Sequence, residues 1–233
     1  MKKNAKSFFA ALGIAFTLVV ALIGAAVSRP YPDYAHMRAA SVEVIIEKDG
    51  HNLGHGSGVL TKYGVLTAAH VAKAVPPGGR ILVRFEHSEF VIAHVDRVAY
   101  VADNGIMSTD LALLSVPSTA HYPLAAVSCD APSVGAAVYV VGNPGIVRWS
   151  VTKGIVISDI PREGWPAGRW LQTDATVAPG NSGGPMYDAD GNVIGIVSHG
   201  QAMGSFVQVM TGHNFGNSGP VICRFLRGDD DNG

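Results

Sequence analysis

The sequence predicts an all-β fold made of two small barrels, and two observations predict it. From Ser41 onwards the chain is a succession of short β-type runs broken by turn residues, many of them apolar on alternate positions. That is the pattern of strands with one buried face. The runs fall into two series of similar length, separated by HYPLAAVSCDAPSVG (121–135), a connecting segment with two prolines. Closely spaced short strands specify a sandwich or barrel, and two matched series specify two barrels.

The first element is apolar. Lys2, Lys3 and Lys6 precede an uncharged run from Ser7 to Ser28. About twenty apolar residues in helical rise cover roughly 30 Å, the thickness of a bilayer core. The run has no polar face to turn towards water, so it reads as a membrane anchor through residues 7–28. The lysines predict a cytoplasmic N-terminus and an exported remainder. A cleaved signal usually has a shorter apolar region of roughly 7–15 residues. Small residues near Ala26 and Ser28 tolerate cleavage, in which case the protein is secreted. Residues 29–40, with Pro30 and Pro32, read as an extended linker.

The strands of the first series are SVEVIIE (41–47), GVLT (58–61), GVLTAA (64–69), RILVRFE (80–86), EFVIAHVDRVAYV (89–101) and DLALLSV (110–116). Those of the second are AAVYVVG (136–142), SVTKGIVISDI (150–160), RWLQTDA (169–175), NVIGIVSHG (192–200) and SFVQVM (205–210). GPVICRFLRG is the one amphipathic helix after the anchor. The folded domain is expected over 41–228, with barrels at about 41–125 and 131–226, and 229–233 is a solvated tail.

Apolar residues make up 48% of the chain and charged residues 15%, enough to build a core and too apolar for disorder. Net charge is -1 with no basic block, which excludes nucleic acid as the main partner. Cys129 and Cys223 form no metal-binding pattern, and no metal or organic cofactor is expected. The two cysteines can make a disulfide in an oxidising compartment. Buried free thiols are the reading favoured here. Nothing in the sequence sets an oligomeric state.

The strongest chemical signal is GNSGGP, from Gly180 to Pro185. A serine between glycines presents its hydroxyl from a tight turn, leaving backbone N–H groups over Gly180, Asn181 and Ser182 to form an oxyanion hole. The Gly180 and Ser182 amides are the expected donors, each worth about 3–4 kcal/mol of barrier. Alone, the motif also fits a glycine-rich hairpin. Ser182 needs a base, and His70 in GVLTAAHV, closing an apolar strand, is the candidate. The other histidines, including His55, read as surface residues. Asp110 opens a run too apolar to hold a lone charge, which suits a buried acceptor for His70.

VLTAAHV, TDLALLSV and QTDATVAPGNSGGP followed by VIGIVSHG resemble the trypsin-like serine proteases, in the order His, Asp, Ser. The likeness runs over about residues 41–200 and is nearest the HtrA (Deg) branch, through Gly56-Ser57-Gly58, Gly154-Ile155-Val156 and Thr173-Asp174-Ala175. It implies two six-stranded antiparallel chymotrypsin-like barrels with the cleft between them. His70 and Asp110 would come from the first barrel and Ser182 from the second. It further implies that Ser198 bonds the acid, and that Ser198, His199 and Gly200 pair with an extended peptide substrate as an added strand. By the family's spacing the primary pocket has its floor near Thr176 and Val177 and walls from Gly200 and 212–215.

Asn181 stands where digestive members carry Asp, and no IVGG-like start is present, so activation by N-terminal insertion is not expected. About fifty residues follow Ser182, so the C-terminal PDZ domain common in the HtrA branch is not expected here. An α/β-hydrolase elbow is disfavoured because Pro185 follows the serine too soon for a helix. A catalytically inactive peptide-binding module of the same fold is the competing class. GNSGP at 216–220 echoes the nucleophile motif, but Ser218 ahead of Pro220 suits a helix N-cap. Because Thr176 is no carboxylate, small or medium apolar side chains are expected before the cut. Cleavage of a peptide library should show them there, and a predominance of Lys or Arg would overturn the assignment.

Overall fold

The computed structural model describes residues 32–103, 106–117, 121–161, 169–202 and 210–229. The expected anchor, residues 1–28, lies outside them. Among the described residues no helix is long and apolar enough to cross a membrane.

Strands β1 (Ser41–Lys48), β2 (His51–Thr61), β3 (Gly64–Thr67), β4 (Arg80–Phe85), β5 (Phe90–Asp103) and β6 (Ile106–Ser115) close one barrel in the order β1-β2-β3-β6-β5-β4. Strands β7 (Ala137–Gly142), β8 (Ser150–Pro161), β9 (Arg169–Thr173), β10 (Pro185–Tyr187), β11 (Val193–Ala202) and β12 (Met210–Ser218) close the other in the order β10-β11-β12-β9-β8-β7. Read as rings the two orders are the same, and every pairing between strands is antiparallel. Closure leaves neither sheet a free edge.

The period-2 pattern sorts side chains between three cores. Val42, Val44 and Ile46 of β1 point into barrel one with Leu60, Val65, Val83, Phe85 and Leu114. Val138 and Val140 of β7 point into barrel two with Val156, Leu171, Met186 and Val197. The alternate residues Tyr139 and Val141 face outwards and join Val59, Leu66 and Leu111 of barrel one in a shared core between the barrels. At roughly 1.5–3 kcal/mol for each large apolar side chain removed from water, this shared layer fixes the barrels against one another.

Helices appear where the sequence indicated a linker and a cap. Helix α1 (Tyr34–Ala40) takes up the second half of the extended linker expected over 29–40, of which 29–31 lie outside the described residues. Asp33 caps it by accepting from the His36 N–H at 2.9 Å, and Met37 is buried in the shared core. Tyr187 donates its hydroxyl to the Met37 carbonyl at 3.1 Å and lies 3.2 Å from Ser41 Oγ. Burial pushes that phenol well above its ordinary range, only partly opposed by the Ser41 bond, so it stays neutral. Helix α2 (Ala69–Ala72) is a single turn after β3, and α3 (Gly219–Arg227) covers the shared core with Val221, Ile222 and Phe225. Ser218 is the N-cap residue of α3 as expected, with Pro220 in the first turn, although its hydroxyl makes no cap bond.

Other elements differ from the sequence reading. The run read at 58–61 extends back to His51, and β10 and most of β12 were not read as strands. Of SFVQVM only Met210 is described. The connection at 121–135 is bonded to both barrels, through Ala125 N–H to Leu60 O and Ser128 N–H to Val193 O, each 2.9 Å. Cys129 and Cys223 are not free thiols but form a disulfide that ties this connection to α3. The bond spans 94 residues of sequence, and closing so long a loop restricts the unfolded chain strongly. Replacing both cysteines by alanine should lower the unfolding free energy by about 2–4 kcal/mol, read from the urea midpoint. An unchanged midpoint would overturn this.

Candidate active site

The site is assembled around Asp110, which is fully buried on β6. Its carboxylate accepts from the His70 backbone N–H at 2.8 Å and lies 2.7 Å from His70 Nδ1. It also accepts the Ser198 hydroxyl at 2.5 Å, while the Asp110 N–H donates to Asn217 Oδ1 at 2.9 Å. Barrel one thus supplies the carboxylate, while barrel two supplies a donor to it from Ser198 of β11 and an acceptor for the Asp110 backbone N–H from Asn217 of β12. Burial alone would raise the Asp110 pKa. The bond and charge of His70 and the bond from Ser198 outweigh it and hold the carboxyl below its ordinary value.

An ionised carboxylate only accepts, so the proton of a neutral His70 sits on Nδ1 and Nε2 keeps its lone pair. The fold fixes the imidazole because Ala69, Val71 and Ala72 of α2 are buried, leaving His70 as the residue turned to the surface, its side chain 36% exposed.

Ser182 lies on the turn entering β10. Asn181 donates its N–H to Ala178 O at 2.9 Å, with Pro179 second and Gly180 third in the turn at φ +103°. This is the arrangement of a type II turn, which needs glycine in the third place. A side chain at Gly180 would also press on Asn143 O and His55 Nε2. The turn engages the backbone N–H of Asn181, which is expected in the oxyanion hole. Among the described residues neither the Gly180 nor the Ser182 N–H has a backbone acceptor.

Ser182 and His70 sit on adjoining segments. A Cβ on Gly183 would lie 2.3 Å from Ser57 O and 2.7 Å from Ala68 N, two residues before the histidine. The Ser182 carbonyl accepts from Ser57 N–H at 2.8 Å. The Ser182 hydroxyl donates to Ser198 O at 3.3 Å rather than to His70. Ser198 is therefore bonded to Asp110 through its side chain and to Ser182 through its carbonyl.

The remaining expected residues are dispersed around this centre. Thr176 is exposed and its carbonyl accepts from Thr152 at 2.7 Å, whereas Val177 is buried in the interior of barrel two. The backbones of His199 and Gly200 pair with Phe215 and Asn214, and the His199 side chain lies outside the described residues. His55, read as a surface histidine, is half-buried and its Nε2 lies 3.1 Å from Asn143 O. Asn217 lies in the GNSGP echo with no local sign of this role, and Ser57 stands out in the sequence only as part of a motif. Among the described residues no cluster could hold a metal ion.

A family model described as "Trypsin-like peptidase domain" matches residues 56–196. The chain belongs to the trypsin-like peptidase family. This trypsin-like peptidase chain is 31% identical over 209 residues to a "Probable periplasmic serine endoprotease DegP-like" of Rickettsia prowazekii, covering 77% of the chain and 40% of the relative. It is 30% identical to "Serine protease HTRA3" of Homo sapiens, covering 75% of the chain and 38% of the relative. The chain thus spans about two fifths of the length of these curated relatives. Among solved structures, the serine endoprotease from Yersinia pestis matches with a TM-score of 0.65 at 25% identity, over 84% of this chain and 66% of that one. "HtrA-type protease AlgW with tripeptide" matches at 0.65 and 27% identity, over 84% and 63%.

Because the folded state lowers the Asp110 pKa, its contribution to stability is complete above the ordinary carboxylate value near 3.8 and is lost as pH falls through the lower folded value. Acid unfolding of the wild type should therefore be steeper below about pH 4 than that of Asp110→Asn. Identical acid limbs would remove this role of the carboxylate.

Proposed function

We propose that this chain is a serine endopeptidase working through His70, Asp110 and Ser182. The observation that carries the reading is the shared Ser198, bonded to the Asp110 carboxylate by its hydroxyl and to the Ser182 hydroxyl by its carbonyl. Rotation of Ser182 about χ1 turns its hydroxyl from Ser198 O towards the Nε2 lone pair of His70. Ser182 then attacks the peptide carbonyl as Nε2 takes its proton, and the Gly180 and Ser182 amides receive the oxyanion. Nε2 returns the proton to the leaving amine, giving an acyl-enzyme that water hydrolyses. Asp110 keeps the proton on Nδ1 throughout and stabilises the imidazolium.

An extended peptide would add as a strand beside Ser198–Gly200, with the side chain before the cut near Thr176 and Val177. The working side is the exported one, in the periplasm or outside the cell, with residues 7–28 as the anchor. The disulfide and the periplasmic relatives support export.

A fluorophosphonate probe tests the reading directly. Wild type and Ser218→Ala should label at equal rates, while Ser182→Ala should not label and should lose peptide hydrolysis by several orders of magnitude. Labelling of Ser182→Ala would move the nucleophile. A folded wild type that stays unlabelled would mean that the cleft binds peptides without cutting them.

A further inference from the structure

We propose that Ser57 is a positioning residue for the oxyanion turn, through a hydrogen-bond junction in which barrel one sets the geometry of a turn carried by barrel two. The inference rests on the peptidase reading and adds a residue to it.

A serine hydroxyl has one proton to donate and two lone pairs. Ser57 Oγ, fully buried, uses all three: it donates to Gly180 O at 2.7 Å and accepts from Asn143 N–H at 2.9 Å and Asn143 Nδ2 at 3.1 Å. The Ser57 N–H goes to Ser182 O at 2.8 Å, and Thr67 donates to the Ser57 carbonyl at 2.7 Å. One residue of β2 therefore holds the carbonyls on both sides of Asn181, the residue between the two expected oxyanion donors. Fixing the Gly180 carbonyl sets the plane of the Gly180–Asn181 peptide. The bond from Asn181 N–H to Ala178 O closes the turn behind it.

The neighbours of Ser57 close off other arrangements. His55 and Ser57 are two apart on β2 and so face the same way. The His55 ring and the Asn143 carbonyl cover Gly180 so closely that a Cβ there would lie 2.7 Å and 2.4 Å from them. Asn143 is itself held, with Nδ2 donating to Val42 O at 3.1 Å and Oδ1 accepting from Trp149 N–H at 3.1 Å. Losing the Ser57 hydroxyl would strand the Asn143 N–H and leave the Gly180 carbonyl without its donor, freeing the turn to rotate. The triad would be untouched, so the damage would fall on transition-state binding.

The test compares wild type with Ser57→Ala in the full chain, using a peptide ester, a peptide boronate that mimics the tetrahedral state, and an uncleaved product peptide. Ser57→Ala should lower kcat by about 10- to 100-fold, the effect of a small misplacement of reacting groups. Boronate affinity should fall in parallel, while KM and product-peptide affinity stay within about twofold, because uniform binding is unaffected. Equal loss of boronate and product-peptide affinity, or an unchanged kcat, would overturn the proposal. If Ser57→Ala fails to fold by circular dichroism, the isosteric Ser57→Cys, a weak donor, carries the same comparison. It should show the same split in smaller measure, and no split would reject the role. A wild type inert to the fluorophosphonate probe would instead reject the peptidase reading, and this proposal with it.

Discussion

The arrangement of the cleft depends on one buried negative charge. A carboxylate on β6 taken fully out of water is tolerable only when hydrogen bonds replace its solvation. Asp110 obtains these from both barrels: His70 from barrel one and Ser198 from barrel two. The two barrels cannot shift relative to one another without exposing or stranding that charge. The same bonds that offset its burial turn the imidazole and fix its tautomer. Stability and preorganisation are therefore two readings of one set of contacts.

Around this centre the fold uses its alternation twice. Odd and even residues of β7 serve different cores, so one strand both fills barrel two and holds it to barrel one. On β1, Glu43 points away from the barrel interior and is buried beneath the loop after β7, paired with Arg84 and with Arg148 at 2.7 Å. Trp149 of the same loop donates Nε1 to Ser41 O at 3.0 Å. Barrel one thus reaches across to the segment that contains Asn143, a neighbour of the turn before Ser182.

Most of the strands were legible because alternation is a local property and a half-buried strand cannot avoid it. β10 was not, since three residues starting with proline carry no period, and β12 was hidden by its glycine and asparagine content. Seven residues of α1 are too few to declare a helical face. His70, Asp110 and Ser182 stood out because each lies in a local pattern with a chemical reason. Asn217 and Ser57 did not, because their roles arise from contacts 107 and 123 residues away in the chain. The disulfide was misjudged for the same reason: nothing near Cys129 announces a partner 94 residues on.

The bond between Cys129 and Cys223 has a mechanical consequence. It joins the crossover between the barrels to a helix whose apolar side is wedged into their common layer. A hinge motion prising the halves apart would have to drag that helix out while it remained covalently latched to the crossover. The latch thereby holds the crossover and the helix together as one unit across the layer that both barrels share.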